Sequence, residues 1–154
     1  MIISSIYTLI STLCFGIIFN IKGKNLIFAA LGGGFSWYIY LLTSAHHSNY
    51  SILPFFITSV IVSIYSEIMA RILKTPVTTF VICAIIPLVP GGGMYNTMFQ
   101  FIQGNTNESL NLGLQTLSIA GAVAIGVFFV SSTSKLIALI RRNFKAKVGS
   151  IFND

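Results

Sequence analysis

The chain has 154 residues, 55% hydrophobic and 8% charged, against roughly a quarter charged in soluble domains. That composition excludes an ordinary soluble domain. The formal charge of +6 does not signal nucleic acid either, because the basic residues fall between and after long apolar runs, where membrane topology places them.

In chain order, the first apolar run covers about residues 2–21 and closes at Lys22-Gly23-Lys24. A secretory leader would carry basic residues before its apolar run and a small-residue cleavage site after it. Here the basic residues follow, so a retained span is expected. The second run covers about 26–43 and ends in SAHHSNYS; the third covers about 52–70 and ends at Arg71 and Lys74. The fourth opens at Pro76, a residue suited to the first turn of a helix, and reaches about Gln103. The fifth covers about 112–136, and a basic tail, 137–154, contains RRNFKAK. Each run approaches the roughly 20 residues that a bilayer core demands. One domain, residues 1–154, is therefore expected: an all-α integral membrane protein of about five transmembrane helices.

Charge orders these spans. Lys and Arg occupy the first and third connections and the tail, whereas the second (His46, His47) and fourth (GNTNES, with Glu108) have none. The alternation predicts the N-terminus outside and the C-terminus inside.

The fourth run carries its own breaker, AIIPLVPGGGMYNTM, residues 84–98. Pro87 and Pro90 remove the N–H groups aimed at the carbonyls of Cys83 and Ile86. Counted from Pro76, Pro87 lies about 16 Å deep and Pro90 to Gly93 about 21–26 Å deep at 1.5 Å per residue. Irregular backbone at that depth must be buried in protein or line a cavity. The glycines are expected to take positive φ, and MYNTMFQFI to resume as a helix. The amides near Gly92 to Tyr95 would then point into the membrane, and such a helix start favours a carboxylate. Broken helices hold anionic substrate groups in many secondary transporters. The competing reading is a bend made only for packing. A second glycine triplet, Gly32 to Gly34, raises an inverted repeat, with close helix packing as the plainer alternative.

Polar side chains recur on the flanking spans. Ser59, Ser63 and Ser66 share one helical face beside Glu67, and Thr75, Thr79 and Cys83 repeat every four residues. Such stripes face protein or water, as packing contacts or as a polar lining. Ser118, Ala122 and Gly126 form a small-residue packing ridge. Glu67 is the one acid inside a predicted span, either paired with Arg71 four residues on or a proton-coupling carboxylate. Cys14 and Cys83 lie apart in apolar runs, so no metal or redox site is indicated. His46 and His47 read as surface residues. With three acids in the chain and no HExxH, GxSxG, P-loop or paired carboxylates, no catalytic residue and no cofactor is expected, and the chain reads as a non-enzyme.

The run SEIMARILKTPVTTFVICAIIPLVPGGGMYNTM, Ser66 to Met98, resembles the membrane domain of the threonine/serine exporter family. The matching positions are Glu67, Arg71, Lys74, Pro76, Pro87, Pro90, Gly91 and Tyr95. Upstream, FGIIFNIKGKNLIFAALGGG is similar to the family's first connection and second span, including Asn20. The chain as a whole is similar to the small subunit of two-component members. The resemblance implies export across the bacterial inner membrane of small carboxylate-bearing metabolites, threonine and serine or dicarboxylates such as succinate. It also implies a larger multi-span partner subunit that carries motifs with no counterpart here. A homo-oligomer is the other assembly to be weighed. Under this resemblance Pro90, Gly91, Gly92 and Gly93 would meet a substrate carboxylate, Tyr95 and Asn96 would add hydrogen bonds, and Glu67 would be the proton site. A structural or assembly subunit and a small passive channel remain as alternative functions.

Overall fold

The computed structural model describes residues 2–45 and 52–140, with the last helix continuing as backbone to Ile151. His46 and His47, and the side chains of the tail from Arg141, lie outside the described residues. The described chain is all helical: α1 (Ile2–Ile18), α2 (Lys24–Ala45), α3 (Leu53–Leu73), α4 (Val77–Ile85), a 3₁₀ turn (Ile86–Leu88), α5 (Gly91–Ile102) and α6 (Thr106–Ile151). Three helices, α2, α3 and the stretch of α6 from Thr106 to Ile140, are long and apolar enough to cross a membrane. Val77–Leu88 and Gly91–Ile102 make a fourth span if counted together across their 48° bend. The expected count of five meets a limit at α1. It has 17 residues, about 25 Å of helix, and ends at Ile18 rather than continuing to residue 21.

Left-handed residues make the corners. Asn20 (φ 57°) and Gly23 (φ 65°) turn the chain between α1 and α2, with the Ile21 N–H closing on the Gly16 carbonyl at 3.0 Å. Asparagine is among the few side chains that tolerate this region. Lys74 (φ 51°) caps α3 in the same way and donates its N–H to the Ala70 carbonyl. Gly104 (φ 81°) turns α5 into α6, assisted by the Asn105 N–H on the Gln100 carbonyl at 3.0 Å.

Close packing is built on small residues, as expected in lipid, where apolar surface alone cannot drive helices together. Gly33 sits on Thr12, and Gly34 on Leu9 and the Ser5 carbonyl, so α1 lies tight against α2. Gly32 faces the Tyr65 ring of α3 and Ala84 of α4. The first glycine triplet is therefore a two-sided packing surface. Tyr65 adds a hydrogen bond from its hydroxyl to the Phe28 carbonyl at 2.9 Å. The core joins Ala29 of α2, Ala70 of α3, and Phe80 and Cys83 of α4. These contacts bring the start of α2, the end of α3 and the start of α4 to one end of the bundle. Lys24, Arg71 and Lys74 stand at that end.

Beyond the break the packing changes. α5 packs mainly on α6, and none of its residues is buried. α6 runs parallel to α3: Gly126 meets Ser59, and two turns on, Ser134 bonds Glu67.

Candidate functional site: a cavity at the helix break

The proline spacing dictates the local geometry of the break. α4 ends at Ile85, and the 3₁₀ turn that contains Pro87 lets the Val89 N–H reach the Ile86 carbonyl at 3.2 Å. The Ile86 carbonyl, expected to be orphaned by Pro90, is thus satisfied by the tighter turn. Only Val89 and Pro90 leave helical structure. Gly91 to Gly93 do not take positive φ. They form the first turn of α5, and their value is the lack of side chains rather than left-handed freedom.

Among the N–H groups of that first turn, Gly91 donates to the Val89 carbonyl at 2.7 Å and Met94 to Pro90 at 3.1 Å. Gly92 and Gly93, between them, have no backbone acceptor among the described residues. A Cβ at Gly91 or Gly92 would meet nothing within 4 Å, whereas one at Gly93 would lie 2.5 Å from Thr116 Oγ1. The second triplet therefore divides into an open part and a packing part.

The open part faces a cavity of about 320 Å³. Its floor is Pro87, Val89 and Pro90 to Gly93, its polar rim is Asn96, Gln115 and Thr116, and its far wall is Trp37, Tyr40 and Phe55. The wall is one aromatic assembly, with ring centroids 5.1 Å apart for Trp37–Tyr40 and 4.6 Å for Tyr40–Phe55. Among the described residues no charged side chain lines it. Asn96, Gly91 and Gly92 are exposed, so the cavity is open on one side. Tyr95, one residue from Asn96, lies elsewhere: it is 68% exposed and stacks on Phe99 at 6.1 Å.

The serine stripe is not part of this cavity. Ser59, Ser63 and Ser66 are buried. Ser59 and Ser66 return their hydroxyls to the helix, to the Phe56 carbonyl at 2.8 Å and the Val62 carbonyl at 2.9 Å. The Ser63 hydroxyl is buried without a partner among the described residues. Thr79 lines a separate hollow with Phe19, Ile21 and Cys83.

Glu67 lies apart from the break, in a cluster that spacing alone did not complete. Ser134 of α6 donates its hydroxyl to Glu67 Oε2 at 2.6 Å and accepts from Arg71 Nη2 at 2.7 Å. Arg71 Nη2 itself stands 3.7 Å from Glu67 Oε2. The expected i, i+4 pair therefore exists, bridged by a serine 67 residues further along the chain. Replacing Ser134 with alanine should cost about 1 kcal/mol, the scale of interhelical hydrogen bonds in membranes. Thermal unfolding of the purified chain in detergent reads it, and an unchanged midpoint would deny the bridge any structural weight.

A family model described as Threonine/Serine exporter, ThrE, matches residues 4–133. The chain belongs to the threonine/serine exporter family. No curated protein and no solved structure gives a significant match. Membership gives this exporter-family chain a threonine/serine exporter-type role in transport and, with its apolar helices, makes it a membrane protein. The matched segment includes the whole break and both Glu67 and Arg71.

Proposed function

We propose that this exporter-family chain is the small subunit of a secondary exporter, with the break cavity as the place where substrate is held. The observation that carries the reading is the pair of N–H groups at Gly92 and Gly93, without an acceptor among the described residues, opening on a cavity at the break between α4 and α5. A carboxylate there would accept charge-assisted hydrogen bonds from the start of α5. Asn96 and Gln115 can hydrogen-bond the rest of a small polar molecule.

The cavity's far wall favours an amino acid over a dicarboxylate. Trp37, Tyr40 and Phe55 offer π faces that attract an ammonium group. A second carboxylate would have no cationic partner among the lining residues. Threonine and serine are thus the preferred substrates and succinate the weaker one.

The open side of the cavity and the unburied α5 support a role for a larger multi-span partner, which would close the site. The setting is the bacterial inner membrane, with the N-terminus outside and the C-terminus inside. Glu67 is the candidate proton site, since its carboxylate is largely withdrawn from solvent and already exchanges a hydrogen bond with α6. Proteoliposomes holding the chain with its partner test this coupling. Glu67→Gln should retain threonine counterflow but lose threonine movement driven by an imposed pH gradient. Gradient-driven movement at the wild-type rate in that variant would remove Glu67 from coupling.

A further inference from the structure

The Glu67 cluster opens onto a groove of which the transport reading uses only the Glu67 carboxylate. This groove, between α3 and α6, has a volume of about 330 Å³ and is walled by Val60, Ile64, Ile68, Phe129, Val130 and Ile137. Polar groups, Glu67, Arg71, Thr133 and Ser134, line it as well. Ile64, Ile68, Phe129 and Ile137 are each about half exposed or more, so the trough faces outward, along the sides of two membrane helices.

Charge complementarity names the occupant. The Arg71 side chain is 53% exposed and commits only Nη2 to Ser134 and Glu67, while a guanidinium has five N–H donors in all. Lys135 adjoins Ser134 on α6, and Lys74 follows Arg71 by three residues at the cap of α3. Arg71 and Glu67 are the charged residues of the lining itself; Lys74 and Lys135 stand just outside it, one turn beyond Arg71 and one residue beyond Ser134 on the same two helices, so cations outnumber acids at this end of the helix pair. Basic pockets between membrane helices bind anionic lipid headgroups, and Arg matches the geometry of a phosphate. A free phosphate would leave the isoleucine and phenylalanine wall uncovered, whereas an acyl chain covers it. We infer that the α3–α6 groove is a binding site for one anionic glycerophospholipid, its phosphate on Arg71 and its acyl chain along Ile64, Ile68 and Phe129. The site is separate from the break cavity and does not depend on what the protein exports.

Native mass spectrometry of the purified full-length chain in neutral detergent, with equal amounts of dioleoyl phosphatidylglycerol and dioleoyl phosphatidylcholine, tests this inference. One phosphatidylglycerol should be retained per chain, favoured over phosphatidylcholine by roughly fivefold to thirtyfold, the scale of one or two basic contacts. Arg71→Gln should bring the two lipids toward parity, and Arg71→Lys should keep most of the preference. Ile64→Trp, a substitution at a half-exposed position that fills the trough without altering charge, should expel the lipid from a chain whose circular dichroism is unchanged. Parity in the wild-type chain, displacement of the lipid by millimolar inorganic phosphate, or retention unaffected by both Arg71→Gln and Ile64→Trp would overturn the inference.

Discussion

Gly92→Val should remove most threonine export while the protein still folds and assembles. The position allows the distinction because a Cβ at Gly92 meets nothing within 4 Å. Valine and glycine also differ little in the first turn of a helix, where propensity penalties are small. The added methyl groups would instead stand beside the Gly92 and Gly93 N–H groups and shield them from a carboxylate. Hydrogen bonds to a charged group are worth about 1.5–3 kcal/mol, so transport should fall by roughly 10- to 100-fold. Gly93→Ala provides the contrast. Its methyl would lie 2.5 Å from Thr116 Oγ1, and that hydroxyl is already committed to the Leu112 carbonyl at 2.7 Å. Export and assembly should therefore be lost together at Gly93. If Gly92→Val exports normally from a well-assembled protein, the break serves packing alone. Labelled-threonine efflux, read alongside size-exclusion profiles of the same preparations, separates the outcomes.

The largest loss of stability is expected at the other triplet. Gly33→Val would drive a side chain into Thr12, which is fully buried and holds the Thr8 carbonyl through its hydroxyl at 2.7 Å. Neither helix has room to yield: Gly34 is pressed on Leu9 and the Ser5 backbone one residue away. Overpacking of this kind costs about 1–3 kcal/mol, and the upper end applies because α1 reaches the bundle mainly through α2. Gly121→Ala is the matched control. Nothing lies within 4 Å of its added methyl, so the helix should gain up to about 1 kcal/mol. Thermal unfolding in detergent should move the two variants in opposite directions. Equal midpoints would show that α1 does not depend on that contact.

Much of this fold is written in local signals. Apolar runs, the proline at 76 and the two prolines of the breaker place α2, α3 and the broken span within a few residues of where they lie. The break itself is legible because proline acts on its own turn. What the glycines do is not, since a glycine triplet can mean positive φ, a packing face or a bare helix start. The neighbours decide: Tyr65 and Thr12 for Gly32 and Gly33, Thr116 and open space for Gly93 and Gly92. The aromatic wall was invisible for the same reason. Trp37, Tyr40 and Phe55 read as ordinary span residues until α2 and α3 are laid beside α5. Ser134 is one more serine in a run of small polar residues, and only the parallel packing of α6 on α3 gives it Glu67 as a partner. Helical spacing pairs residues three or four apart and carries no information across 67 positions. For the serine stripe, of the two roles its spacing allowed, the structure shows packing: it lies buried in the interior of the bundle and not on the break cavity.

The most direct test of the central claim is efflux of labelled threonine, with succinate in parallel, from loaded cells carrying this chain alone, the chain with a larger partner subunit, or neither. Threonine efflux is expected only when both are present, faster than succinate efflux and abolished by a protonophore. Efflux through this chain alone, indifferent to the gradient, would contradict it and identify a passive channel instead.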